Sequence, residues 1–201
     1  MNVKNYLDAI KSFEEAVRLK PDFSEAMFHM AESYEYIEEH SKALDKYKDA
    51  IKDNPKYLEA YLKSGNIQSS LNLLADAVET FKKAISHYPD NATAHTDLGA
   101  VYGKLQKFTE ALDSYKEALR LNKNSAYTYY HMGLTLRELG QHKEAIPAFI
   151  EAIRIDPDFE DTHYQLGLAY AQIEHYQEAI EAFKKSLAIQ PFTEEAPRLF
   201  A

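Results

Sequence analysis

The chain has no cysteine among its 201 residues, which removes disulfides, thiolate metal sites and thiol catalysis together. That absence fits a reducing compartment, and the expected location is cytoplasmic. No apolar run approaches the roughly 18 residues needed to span a bilayer. The opening residues 1–11 also lack the apolar region of a signal peptide, so no membrane insertion is expected. Clustered basic residues are missing as well: 23 Lys and Arg are scattered among 32 Asp and Glu, for a net charge of −9. Counterion release from a phosphate backbone then has no patch to drive it, and no nucleic acid is expected as a partner. A modest acidic excess serves solubility. With 45% hydrophobic and 27% charged residues, the composition is that of a folded chain.

What the sequence does have is a period. Alanines stand at Ala9, Ala43, Ala77, Ala111, Ala145 and Ala179, each 34 residues from the last. Four residues later an aromatic recurs as Phe13, Tyr47, Phe81, Tyr115, Phe149 and Phe183. Three further on are Ala16, Ala50, Ala84, Ala118 and Ala152, with Ser186 as the one change. Upstream, a small residue recurs as Ala31, Gly65, Gly99, Gly133 and Gly167, and a proline as Pro21, Pro55, Pro89, Pro157 and Pro191, broken by Lys123. A fixed period across independent columns marks a solenoid, in which each unit buries its face only against its neighbours. In this pattern of small residue, tyrosine, alanine, aromatic and proline, the chain resembles the tetratricopeptide repeat family over nearly its whole length.

The fold class expected is all-α, and the resemblance implies a right-handed superhelical solenoid of helix-turn-helix repeats. Residues 1–23 read as the second helix of a half repeat, because Tyr6, Leu7, Ile10, Phe13, Ala16 and Val17 recur at three and four residues. Full repeats are expected at 24–57, 58–91, 92–125, 126–159 and 160–193, with 194–201 an incomplete segment. Gly99 and Ala111 lack bulk where paired helices approach, and larger side chains fill the space between pairs. Where Lys123 replaces proline, Asn122, Asn124 and Ser125 still supply turn chemistry. Pro147 reads as an early-helix proline without functional weight. Repeat arrays need polar terminal caps. An unpaired helix at the start and a short end therefore raise two alternatives, a segment of a longer array or stacking of copies into a homo-oligomer through the chain ends.

Chemistry-bearing patterns are weak. Gly99 to Lys104 resembles a phosphate loop, but its spacing is one residue short and Leu105 stands where Ser or Thr is required. Glu25, His29 and Glu32 share a helical face at acceptable ligand spacing, against the ordinary reading of a solvated face. His95 and His163 fall in a column that also holds Met27, Tyr61 and Tyr129, which reads as packing. No serine or carboxylate pair has an obvious general base. Catalysis is not expected, and no cofactor is expected.

The resemblance implies that the first helix of each repeat faces inward and grips an extended peptide or a partner's helix. Function then lies in columns that the fold leaves free. The chaperone-adaptor type of the family uses a carboxylate clamp; here the Phe28, Leu62, Thr96, Tyr130, Tyr164 column holds no lysine, and only Asn66 falls correctly. The asparagine ladder of the sugar-transferase type is absent too. The remaining inward residues are acidic early and aromatic late. Candidate partner-binding residues are Lys63, Asn66 and Asp97, followed by Tyr127, Tyr130, His131, Leu134, Arg137 and Tyr164. Tyrosine and arginine are enriched at binding hot spots because they bury large area and still hydrogen-bond. Two roles are open for these tyrosines, contact with a ligand or packing on neighbouring helices. The function expected is a non-catalytic protein-interaction module with a protein or peptide ligand in a concave groove. The alternatives are a self-assembling scaffold and the regulatory portion of a larger enzyme.

Overall fold

The computed structural model describes residues 3–159 and 161–189, and within them it contains eleven helices and no strand. The segment 194–201 lies outside the described residues. The helices are α1 (Val3–Leu19), α2 (Ser24–Tyr36), α3 (His40–Asp53), α4 (Leu58–Ser70), α5 (Leu74–His87) and α6 (Ala92–Lys104). They continue as α7 (Phe108–Leu121), α8 (Ala126–Glu138), α9 (His142–Ile155), α10 (Thr162–Gln172) and α11 (Tyr176–Ile189). Two compact units result, Met1–Lys104 holding α1 to α6 and Leu105–Ala201 holding α7 to α11. Inside each unit every helix packs on the next in sequence. The fold is an all-α array of helix-turn-helix pairs.

The periodic residues form the seams. In the first unit Ala43, Tyr47, Ala50, Ala77, Phe81 and Ala84 are all 0% exposed, as are Ala145, Phe149 and Ala152 in the second. The residue facing each ring must be small. A Cβ built on Gly65 would sit 2.6 Å from Phe81 Cζ, and one on Gly133 would sit 2.6 Å from Phe149 Cε1. Glycine is needed here for close approach rather than for backbone freedom. In α1 the equivalent Ala9, Phe13 and Ala16 are only half-buried, since no helix precedes α1 among the described residues.

Turns inside the pairs share one geometry. Glu38, Asn72, Gly140 and Glu174 have positive φ, between 60° and 72°. The following amides return to the preceding helix: Glu39 N donates to Tyr34 O at 2.9 Å, Leu73 N to Gln68 O at 2.8 Å and Gln141 N to Leu136 O at 2.9 Å. This is the Schellman termination, which satisfies carbonyls left over at a helix end. Turns between pairs use a side chain: Asn54 Oδ1 accepts from Lys56 N at 3.1 Å and Asn122 Oδ1 from Asn124 N at 3.0 Å. The turn that lacks proline at Lys123 keeps this bond, and Ser125 caps α8 by accepting from Thr128 N at 3.2 Å.

Candidate functional site on the first-helix faces

Even-numbered helices are the first members of the pairs, and in each unit the candidate residues lie on or next to them. In the first unit α2, α4 and α6 are cross-linked there. Glu35 Oε2 accepts from Tyr47 Oη at 2.9 Å and lies 3.7 Å from Lys63 Nζ. Burial, with that carboxylate as acceptor, pushes the Tyr47 hydroxyl above the ordinary tyrosine range. Asn66 Nδ2 donates to Asp97 Oδ2 at 3.4 Å, and Lys104 Nζ donates to Ser69 Oγ at 2.8 Å. Asp97 is half-buried, and its loss of solvent pushes its pKa up to about 6 despite the opposing bond from Asn66. The phosphate-loop-like stretch from Gly99 to Lys104 is thus the end of a helix whose lysine is held by a serine.

The early acidic face behaves as ordinary helix surface. His29 Nδ1 bonds Glu32 Oε2 at 2.8 Å along one helix. Among the described residues no group of three or more His, Asp or Glu is arranged to hold a metal ion.

In the second unit α8 and α10 carry a continuous polar chain. Tyr130 Oη donates to Asp161 Oδ1. Gln165 Nε2 donates to the other oxygen of Asp161 at 2.5 Å. Gln165 Oε1 in turn accepts from Arg137 Nη1, and Arg137 Nη2 donates to Glu138 Oε1 at 3.0 Å. Hydrogen bonds linked in series polarise one another, which favours one arrangement of these side chains.

Around this chain lies the aromatic cluster. The ring of Tyr127 meets His131 edge-on at 4.3 Å, and His131 meets Tyr130 at 5.2 Å. Tyr130 is 5% exposed, whereas Tyr127 is 39% and Tyr164 43% exposed. The two roles left open for the tyrosines are therefore divided among them. Tyr130 packs, with Phe159 at 5.5 Å and Phe149 at 6.2 Å, and Leu134 packs against the same core. Tyr127 and Tyr164 offer ring surface to solvent, Tyr164 leaning on Phe183 at 5.5 Å. Asp161, Gln165 and Glu35 complete the site and were not singled out as candidates. Their signal is a cross-repeat partner at 31 residues for Asp161 and at 28 for Gln165 and Glu35, one repeat less three or six residues.

The histidines in the packing column have a structural task. His95 Nε2 bonds Pro89 O at 2.8 Å and Tyr61 Oη donates to Pro55 O at 3.2 Å. His163 bonds the Pro157 backbone in the same way. A polar-tipped ring six residues after the proline thus ties the inter-pair turn to the following helix.

Comparison with known proteins agrees with this architecture. Profiles described as tetratricopeptide repeat match residues 2–57, 58–124, 114–146 and 160–192, and one described as TPR repeat matches 133–174. No curated protein matches the chain. Among solved structures, a MamA crystal structure is 30% identical, with 80% of this chain and 94% of that one covered at a TM-score of 0.74. YrrB, described as a TPR protein with an unusual peptide-binding site, is 26% identical over 90% of this chain and 94% of its own, at a TM-score of 0.72. MamA from Desulfovibrio magneticus RS-1, at 21% identity with 86% and 97% covered, shares the fold at a TM-score of 0.76. With the period, the glycine-to-ring seams and the shared turn geometry, these matches establish that the chain belongs to the tetratricopeptide repeat family.

Proposed function

We propose that this protein-interaction module binds an extended peptide or a partner's helix along its first-helix faces, with the grip centred on α8 and α10. The observation that carries the reading is the exposure of Tyr127 and Tyr164 beside a hydrogen-bonded frame, Tyr130 to Asp161 to Gln165 to Arg137. Exposed rings held on a fixed frame suit binding, because little freedom on the protein's side is lost when a ligand docks. The peptide-binding site named for YrrB supports the ligand class. Glu25 and Glu59 on the first unit's face favour a neutral or mildly basic segment there. The test is a displayed random-peptide library selected on the full chain, with the selected peptide mapped by NMR. Shift changes on α8 and α10 are expected, and changes confined to odd-numbered helices reject the reading.

A second reading rests on exposed apolar residues of the outermost described helices. Leu7 on α1 is 45% exposed, and Ile180 and Leu187 on α11 are 45% and 46% exposed. Copies would associate through these faces into a scaffold. Sedimentation across a hundredfold dilution separates the readings, since association lost in Ile180→Glu supports the scaffold and a monomer throughout rejects it.

A further inference from the structure

The second helices carry a column pair that faces solvent: Asp45 and Lys48 in α3, Glu79 and Lys82 in α5, Asp113 and Lys116 in α7, Glu181 and Lys184 in α11. An acid three residues before a lysine suits an ion pair along one helix. Asp113 and Lys116 lie at 3.6 Å, and Glu181 and Lys184 at 2.9 Å. In α9 the same two positions hold Pro147 and Ile150. Both are exposed, so neither serves the core. Pro147 is the sixth residue of α9 and removes the amide that would bond the Lys143 carbonyl, a cost without return in packing.

Ile150 borders a groove of about 460 Å³ between α9 and α11, floored by Ile153, Leu166 and Tyr170. The groove at the same register in the first unit, between α3 and α5, measures about 370 Å³ and carries Lys48, Ile51, Ser64 and Gln68 at the corresponding places. One repeat geometry therefore tolerates a polar lining; Leu166, 8% exposed, and Tyr170 also pack into the second unit's core, whereas Ile150, 43% exposed, does not. The α11 wall places Glu178 and Glu181 along this floor, with Lys185 the one lining lysine. His163, also in the lining, is held below the usual histidine range by burial and by the Lys185 charge, so it adds no cation.

We propose that the α9–α11 groove is a docking site for an amphipathic helix of a partner protein, whose apolar ridge covers Ile150 and Tyr170 and whose lysine or arginine meets Glu178 and Glu181 in place of their same-helix contacts to His175 and Lys184. A groove between two helices, apolar below and acidic along one wall, matches a helix with an apolar stripe and a basic flank. The surface is separate from the first-helix face and does not depend on the ligand bound there.

The probe is a synthetic helical peptide of about 16 residues with leucines spaced i, i+3, i+4, i+7 and flanking lysines, beside a copy with flanking glutamates. Fluorescence anisotropy with the full chain should give binding at least about tenfold tighter for the lysine peptide. Ile150→Lys installs the residue that α3, α5, α7 and α11 already carry, so the fold is kept, and it should weaken the lysine peptide about tenfold or more. Glu178→Lys with Glu181→Lys should reverse the preference between the two peptides. Equal binding of both peptides by the native chain, or undiminished binding by Ile150→Lys at unchanged melting temperature, overturns the proposal. So does a native dimer in sedimentation that Ile150→Lys dissociates, because the groove would then belong to a second copy.

Discussion

The hydroxyl of Tyr130 on α8 donates to the carboxylate of Asp161 at the start of α10, so a residue in an inward column is spent on holding two repeats together. The same carboxylate accepts from Gln165 at 2.5 Å. Tyr130→Phe keeps the ring and deletes the bond. Bonds to charged acceptors contribute about 1.5–3 kcal/mol, and a loss of that order is expected in chemical denaturation. Asp161→Asn should cost a similar amount, and the double variant should cost clearly less than the sum, since both break one contact. Full additivity would mean that the pair does not interact.

Gly133 faces the ring of Phe149 across the α8–α9 seam, at a distance that leaves no room for a methyl group. Gly133→Ala should destabilise by about 1–3 kcal/mol through overpacking. Combining it with Phe149→Leu should cost less than the two changes added, because the smaller side chain vacates the space the new methyl needs. Thermal melting of the four chains checks this.

Glu174 and Gly140 occupy the same left-handed turn position with φ of 63° and 72°. A side chain there is strained, and glycine is not. Glu174→Gly is therefore expected to stabilise by roughly 0.5–1 kcal/mol, and Gly140→Ala to destabilise by a similar amount. Opposite signs in differential scanning calorimetry are the required result.

Asp97 has a folded-state pKa of about 6, above its unfolded value, because burial disfavours its charge. The folded chain then holds a proton that the unfolded chain has released, so stability falls as pH rises from about 4 to about 6 and stays lower above that. Asp97→Asn should flatten this part of the stability profile and should be the more stable chain at pH 7, by about 1–2 kcal/mol. Stability that instead rises across this window relative to Asp97→Asn contradicts the assignment.

The architecture is legible in the sequence because the seams demand one residue type at each step: alanine at Ala43, Ala77 and Ala145, a ring at Tyr47, Phe81 and Phe149, glycine where the ring lands. The site is less legible because a column fixes direction but not cover. Phe28 and Tyr130 share a column with Tyr164, yet the first two are buried and Tyr164 is 43% exposed. Phe28 and Tyr130 are each covered by a turn residue 29 positions later: Tyr57 stacks on Phe28 at 4.8 Å and Phe159 meets Tyr130 at 5.5 Å. The counterpart for Tyr164 is Thr193, outside the described residues. The ties from Asp161 and Gln165 depend on side-chain reach between repeats, which periodicity does not report.

The most direct test of the central claim is a binding titration of a library-selected peptide against the native chain and the Tyr127→Ala, Tyr164→Ala double variant. Both rings are exposed, so helix content and melting temperature should stay nearly unchanged. The account predicts that affinity falls about tenfold or more, the size expected when two aromatic contacts are lost. Equal affinity in a folded double variant would contradict it.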